Sequence, residues 1–161
     1  MTINPALYAS DKTDWGTPQA FFDRLNAEFH FDLDAAASAE NTKCRCFYTK
    51  EQNGLLHDWG TWPQSAWCNP PYGRSIGDWI AKAHREARIN GVTVVVLIPS
   101  RTDTAYWHDY VMRAAEVRFV RGRLKFEGAP NQAPFPSAVI VFRPGHQGPP
   151  LLSAIDARSN Q

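Results

Sequence analysis

The sequence predicts an α/β fold: a three-layer sandwich in which helices cover both faces of a mostly parallel sheet. Two observations carry that expectation. Val92-Thr93-Val94-Val95-Val96-Leu97-Ile98 is a continuous β-branched and aliphatic run ended by Pro99, the pattern of a strand covered on both faces. Around it, segments of helical and strand periodicity alternate along the chain, and such alternation builds parallel sheets with ligand sites at the carboxyl ends of the strands.

At 161 residues the chain suits one domain with a real core and is too short for a separate recognition domain. Any target recognition must therefore come from loops. A net charge of +1 leaves no global basic field, so a nucleic-acid surface has to be a local patch. Three cysteines, an odd number, and a start of Met1-Thr2-Ile3-Asn4-Pro5 without a charged and apolar leader point to a reducing cytoplasm. The apolar run at 92–98 is far below the ~20 residues of a membrane span, so no membrane association is expected. Cys44, Cys46 and His57 match no common zinc spacing; the cysteines read as ordinary thiols, and no metal is implied.

Residues 1–14 are polar and unpatterned and read as an arm, 15–143 as the folded domain, and 144–161, rich in Gly, Pro and polar residues, as a flexible tail. Thr17 can cap a helix over about 18–28 with Pro18 in its first turn, since Phe21, Phe22, Leu25 and Phe29 then share one side. Phe29, Phe31 and Leu33 alternate with His30, Asp32 and Asp34, which is strand periodicity ending in an acid and the small residues Ala35-Ala36-Ala37. At the end of a first strand, small residues let a ligand approach the backbone, and Asp34, with Asp32 as its rival, can meet a cation or hydroxyl. Residues 45–49 read as a second strand, followed by the acid Glu51.

Ser75-Ile76-Gly77-Asp78 has the form of a capping box variant, and Ile76, Trp79, Ile80, Ala83 and Ala87 make a helical stripe that ends before Gly91. Past the central strand, Ser100-Arg101-Thr102-Asp103 leads into a helix with Trp107, Tyr110, Val111 and Ala114 on one side, and 117–120 forms a strand. Residues 122–136 form a long loop with three prolines, and a loop of that length needs a reason in a compact domain. Arg121, Arg123 and Lys125 beside Phe126 suit phosphate contacts with base stacking, or equally a solvated basic edge. Residues 138–142 close the sheet.

The chemistry concentrates in Cys68-Asn69-Pro70-Pro71-Tyr72-Gly73, which follows the apolar Ala66-Trp67. The two prolines stiffen the segment and remove two backbone donors. The Asn69 side-chain carbonyl and the Pro70 main-chain carbonyl then stand as neighbouring acceptors, able to hold the two hydrogens of an exocyclic NH2 group. Tyr72 offers a flat face to a planar substrate.

Asn69-Pro70-Pro71-Tyr72 resembles the catalytic motif of S-adenosylmethionine-dependent methyltransferases that modify planar nitrogens: adenine N6, cytosine N4 or a glutamine amide. Together with Trp15-Gly16-Thr17-Pro18, Phe31-Asp32-Leu33-Asp34-Ala35-Ala36-Ala37, Gly54-Leu55-Leu56-His57-Asp58-Trp59 and Gly122-Arg123-Leu124-Lys125-Phe126, it makes the chain similar to the small phage-type, Dam-like DNA adenine-N6 methyltransferases over roughly residues 13–143. The resemblance implies a Rossmann-like class I methyltransferase fold with an antiparallel last strand. It also implies S-adenosyl-L-methionine as cofactor, DNA as partner with no obligate protein partner, and work in the cytoplasm of a bacterial host by a phage- or prophage-encoded enzyme.

Carried onto this sequence, the resemblance implies catalysis by Asn69, Pro70, Pro71 and Tyr72, with the target adenine flipped onto Tyr72. It implies cofactor contacts by Trp15, Thr17, Pro18, Asp34, Ala35, Ala36 and Asp58, with Glu51 the candidate acid for the ribose hydroxyls. DNA contacts are expected from Arg74, Arg101, Arg121, Arg123 and Lys125. The glycines typical of the family's cofactor loop are absent at 35–37. The same corner would serve a methyltransferase of RNA or of protein glutamine, and a catalytically silent nucleic-acid-binding relative is a further alternative. A dinucleotide enzyme is disfavoured because no G-x-G-x-x-G follows the first strand.

Overall fold

The computed structural model describes residues 14–158, so all of the expected N-terminal arm except Asp14 lies outside the described residues. Seven strands form one sheet: β1 (Leu33–Asp34), β2 (Cys46–Phe47), β3 (Ser65–Cys68), β4 (Thr93–Pro99), β5 (Glu116–Arg121), β6 (Ser137–Phe142) and β7 (Leu151–Asp156). Their order is β2-β1-β3-β4-β6-β5-β7. β1 pairs in parallel with β2 and β3, and β3 with β4, whereas β6 lies antiparallel between β4 and β5. β5 consequently runs in the direction of β4, and β7 pairs parallel to β5. The antiparallel strand expected at the end of the class I fold is β6.

The β-branched run forms β4, which is buried from Val94 to Pro99 and covered on both faces, as such a composition requires. Helix α1 (Gln19–Phe29) buries Phe21, Phe22 and Leu25 and sets Phe22 edge-on against Trp67 of β3, with ring centroids 5.4 Å apart. Helix α2 (Ile76–Arg85) buries Ile76, Trp79, Ile80 and Ala83, and His84 on the same helix packs on Phe142 of β6. α2 runs on into a single π-helical turn at Glu86–Asn90, where Gly91 at φ 73 takes the left-handed conformation that ends it. A short helix α3 (Ala105–Asp109) lies beyond β4. Arg118 of β5 holds Glu28 of α1 through two 2.7 Å bonds, tying helix to sheet.

Several features depart from the expectations: Ser75 caps α2 without a side-chain bond, and α3 stops at Asp109, leaving Val111–Arg113 as a separate 3-10 turn. Residues 144–161 are not wholly a tail, since Leu151–Asp156 add strand β7 to the otherwise unpaired edge of β5, with Glu116 opposite Leu151 and Arg121 opposite Asp156. Arg24 of α1 clamps its end by donating to the Asp156 carbonyl at 2.5 Å. Phe29 belongs to α1, because His30 at φ 51 closes that helix, and β1 shrinks to two residues. Thr17 is not a helix cap. Pro18 occupies the cap position without a side-chain bond, and the Thr17 hydroxyl turns toward Asn69.

Candidate active site

At the carboxyl ends of β1 and β3 the chain encloses a cleft of about 760 Å³. Asn69, Pro70 and Pro71, which leave β3, form one wall, and Trp15, Gly16 and Thr17, which precede α1, lie beside them. The Asn69 amide nitrogen donates to the Trp15 carbonyl and to the Thr17 hydroxyl, the latter at 3.0 Å. A main-chain carbonyl can only accept, so this pair fixes which end of the amide is nitrogen. The opposite end, Asn69 Oδ1, is buried and has no hydrogen-bond partner among the described residues. No backbone hydrogen bond among the described residues ends on the Pro70 carbonyl either. A buried acceptor without a donor costs roughly 1–3 kcal/mol, and this one belongs to a residue that lines the cleft.

A further part of the lining comes from the loop from Asp34 to Lys43. Asp34 is only 3% exposed, and its two carboxylate oxygens accept from the Ala36 N–H at 3.4 Å and the Lys43 N–H at 3.0 Å, closing the loop on its own first residue. Burial pushes the Asp34 carboxyl up to about 6, against the lowering effect of those two N–H groups. The Lys43 ammonium reaches Gln19 at 2.9 Å and Glu127 at 2.8 Å, joining this loop to the 122–136 loop, which is also bridged to Gly16 through Glu127.

A glycine does stand against this loop, although not in it. Ala35, Ala36 and Ala37 need no left-handed backbone. The close approach is supplied by Gly54 instead, where a Cβ would stand 2.2 Å from the Ala35 carbonyl oxygen and 3.2 Å from the Trp79 ring. Asn53, Leu55, Glu51 and the Trp79 ring bring an acid and an apolar surface to the same cavity.

The expected site residues are thus divided. Asn69, Pro70, Pro71, Trp15, Thr17, Asp34 and Ala36 line the cleft. Ala35 is fully buried behind it, and Pro18 serves the start of α1. Asp58 lies outside the cleft: it is exposed, accepts from Asn90 at 3.3 Å, and is turned away because neighbouring Trp59 is pinned inward. The Trp59 indole donates to the Gly54 carbonyl at 2.8 Å and its backbone N–H to the buried Glu86 at 3.0 Å. Asp32 is likewise spent on structure, accepting the Ser65 N–H. Tyr72 does not offer its ring to the cleft: it is 8% exposed, its hydroxyl donates to the Leu97 carbonyl at 3.0 Å, and Phe135 and Phe126 pack edge-on against it at 5.7 and 6.2 Å. Burial raises that phenol well above its ordinary range.

Glu51, the candidate acid for the ribose hydroxyls, does line the cleft, as do Ser38, Asn41 and Lys43, which sequence reasoning missed. A local signal existed in Ser38 and Asn41, whose side chains bond each other's backbone N–H groups as turn formers do.

Arg74, Arg101, Arg121, Arg123 and Lys125 are all exposed. Arg74 and Arg101 follow the carboxyl ends of β3 and β4, and Arg121 ends β5, so the parallel direction of those strands puts all three on the edge of the sheet that carries Asn69. Arg121 and Arg123 border a second concavity of about 330 Å³ together with Arg158, which β7 delivers to the same edge. Between them Leu124 and Phe126 point inward, so basic and apolar side chains alternate along the segment.

Residues 5–156 match the family described as DNA N-6-adenine-methyltransferase (Dam). The chain is 31% identical over 143 residues to a DNA N-6-adenine-methyltransferase of Haemophilus phage HP1 (strain HP1c1), covering 84% of this chain and 81% of that protein. It is 34% identical over 111 residues to a DNA N-6-adenine-methyltransferase of Escherichia phage T1, covering 68% of this chain and 45% of that protein. The match thus spans under half the length of the phage T1 relative. A putative methyltransferase of Escherichia coli (strain K12), YfdM, is 40% identical over 63 residues, 36% of this chain and 69% of that protein.

Proposed function

Because the chain belongs to the DNA N-6-adenine-methyltransferase (Dam) family, we propose that it transfers a methyl group from S-adenosylmethionine to N6 of adenine in DNA, with Asn69 Oδ1 and the Pro70 carbonyl holding the amine. The observation that carries this reading is the buried, unpartnered Oδ1 of Asn69 at the cleft wall. An exocyclic NH2 has two hydrogens to place and a delocalised, weakly nucleophilic lone pair. Two fixed acceptors take those hydrogens and favour the rehybridisation that frees the lone pair. Orientation of this kind supplies up to ~7–11 kcal/mol of a barrier.

S-adenosylmethionine, when bound, supplies the methyl group on a cationic sulfur. The cleft fits it: Asp34 puts a carboxylate in the wall, Glu51 a second acid suited to ribose hydroxyls, and Leu55 and Trp79 an apolar surface suited to a nucleoside. Trp15 and Ala36 line the same space, whereas Thr17, 2% exposed, turns its hydroxyl to Asn69 and is assigned no cofactor contact. Asp58 has no part in this reading. No general base acts before transfer, since the proton leaves an amine that is already cationic. Adenine inside a duplex must be extruded to reach Asn69. Stacking on Tyr72 requires the edge-packed Phe135 and its loop to move aside. Arg74, Arg101, Arg121, Arg123, Lys125 and Arg158 supply the phosphate contacts along the sheet edge.

The test incubates the protein with methyl-labelled cofactor and, separately, unmethylated DNA, RNA and protein, followed by analysis of the hydrolysed products. N6-methyladenine from DNA is the expected product. Label in cytosine, RNA or glutamine would replace the substrate, and no label in any arm would point to a silent relative.

A further inference from the structure

Asn69 lines the cleft, and its amide is held through the nitrogen. Asn69 Nδ2 meets two oxygens, the Trp15 carbonyl and the Thr17 hydroxyl, and Thr17 is 2% exposed. This hydroxyl is free of the capping duty that its place before a helix suggested, because Pro18 begins α1 without a side-chain bond. We propose that Thr17 and the Trp15 carbonyl form a positioning pair that holds the Asn69 amide with its oxygen toward the substrate and selects an amide over a carboxylate at this position. The inference rests on the assignment of Asn69 Oδ1 as the acceptor for the amine.

The chemistry of the Trp15 half of the pair is one-sided. A main-chain carbonyl has no hydrogen to give, so whatever atom of residue 69 faces Trp15 must be a donor. With asparagine that atom is NH2, and the oxygen is left for the cleft. A rotated amide would present N–H to an incoming N–H and set its oxygen against the Trp15 carbonyl, losing that bond, while the Thr17 hydroxyl could turn to donate instead of accept. With aspartate the rear atom becomes an oxygen facing an oxygen. The Thr17 hydroxyl can turn to donate to that oxygen, but the contact with the Trp15 carbonyl is relieved when the rear oxygen is protonated, so that it can donate to Trp15 while its twin accepts from the amine.

Three variants test this. Thr17→Val keeps the shape and the β-branch but removes the acceptor; kcat should fall about tenfold or more while the dissociation constant for S-adenosylmethionine stays within about twofold. Thr17→Ser should restore kcat. Asn69→Asp should show a carboxyl titration, followed by 13C NMR of labelled protein, well above the usual aspartate range. Its residual activity should be present at low pH and lost as pH rises through that titration, a limb absent from the wild-type profile.

A cofactor affinity that falls in step with kcat in Thr17→Val would make Thr17 a cofactor contact and overturn the proposal. So would an ordinary carboxyl titration in Asn69→Asp. The NMR measurement needs no substrate. A raised titration in a protein that methylates no DNA would therefore sink the substrate assignment and leave the positioning pair standing.

Discussion

Asn69 and Tyr72 are three residues apart and face opposite ways: the amide meets the cleft, while the tyrosine ring is enclosed by Phe126 and Phe135 and its hydroxyl is bound to β4. That arrangement makes Tyr72 first a strut that seats the Pro70-Pro71 corner on the sheet. Tyr72→Phe should cost about 1 kcal/mol in urea unfolding through the lost bond to Leu97, and leave turnover largely intact. Tyr72→Ala should cost about 3–5 kcal/mol through the cavity it leaves. Equal effects of the two on turnover, once folding is accounted for, would assign the chemistry to the hydroxyl. At this scale the sequence was most readable where one residue's own groups carry the meaning, as with the carbonyls of Asn69 and Pro70. It could not place Asp58, which lies outside the cleft lining beside Trp59, whose bonds run to Gly54 and to Glu86, 27 residues away.

At the scale of elements, the Asp34–Lys43 loop is held by a carboxylate that burial keeps hard to ionise. A raised carboxyl favours the folded state at low pH: the stability it contributes is fully present below about 4, the ordinary aspartate range, and is lost as pH rises through about 6. The stability of the wild type relative to Asp34→Asn should therefore decline between pH 4 and 7, as measured by denaturant unfolding across that range. A difference that grows with pH would show that the two N–H bonds outweigh burial. The β4 run and the stripe of α2 were plain in the sequence because each element's own periodicity declares how it is covered. β7 was not, because four of its six residues are exposed and Pro144-Gly145 and Gly148-Pro149-Pro150 precede it. What makes it a strand is the free edge of β5, which local composition cannot announce. Truncation at residue 144 should accordingly lower stability by strand pairing as well as by loss of the Arg24 clamp on Asp156.

Across the whole molecule, a chain of net charge +1 gathers arginines on one sheet edge by ending β3, β4, β5 and β7 there. The sequence exposed Arg121, Arg123 and Lys125 as a cluster, but that Arg74, Arg101 and Arg158 share their edge follows only from strand direction. Arg123→Ala should weaken DNA binding and lower the slope of log affinity against log salt by about 1, readable from fluorescence anisotropy titrations at several salt concentrations. An unchanged slope would remove that residue from the interface. No helix among the described residues is long and apolar enough to cross a membrane. The central claim concerns Asn69. The most direct measurement is single-turnover methylation of DNA by Asn69→Ala alongside its S-adenosylmethionine affinity by calorimetry. A rate lowered about a thousandfold or more with cofactor affinity within about twofold is the predicted result. A rate within tenfold of wild type would contradict it.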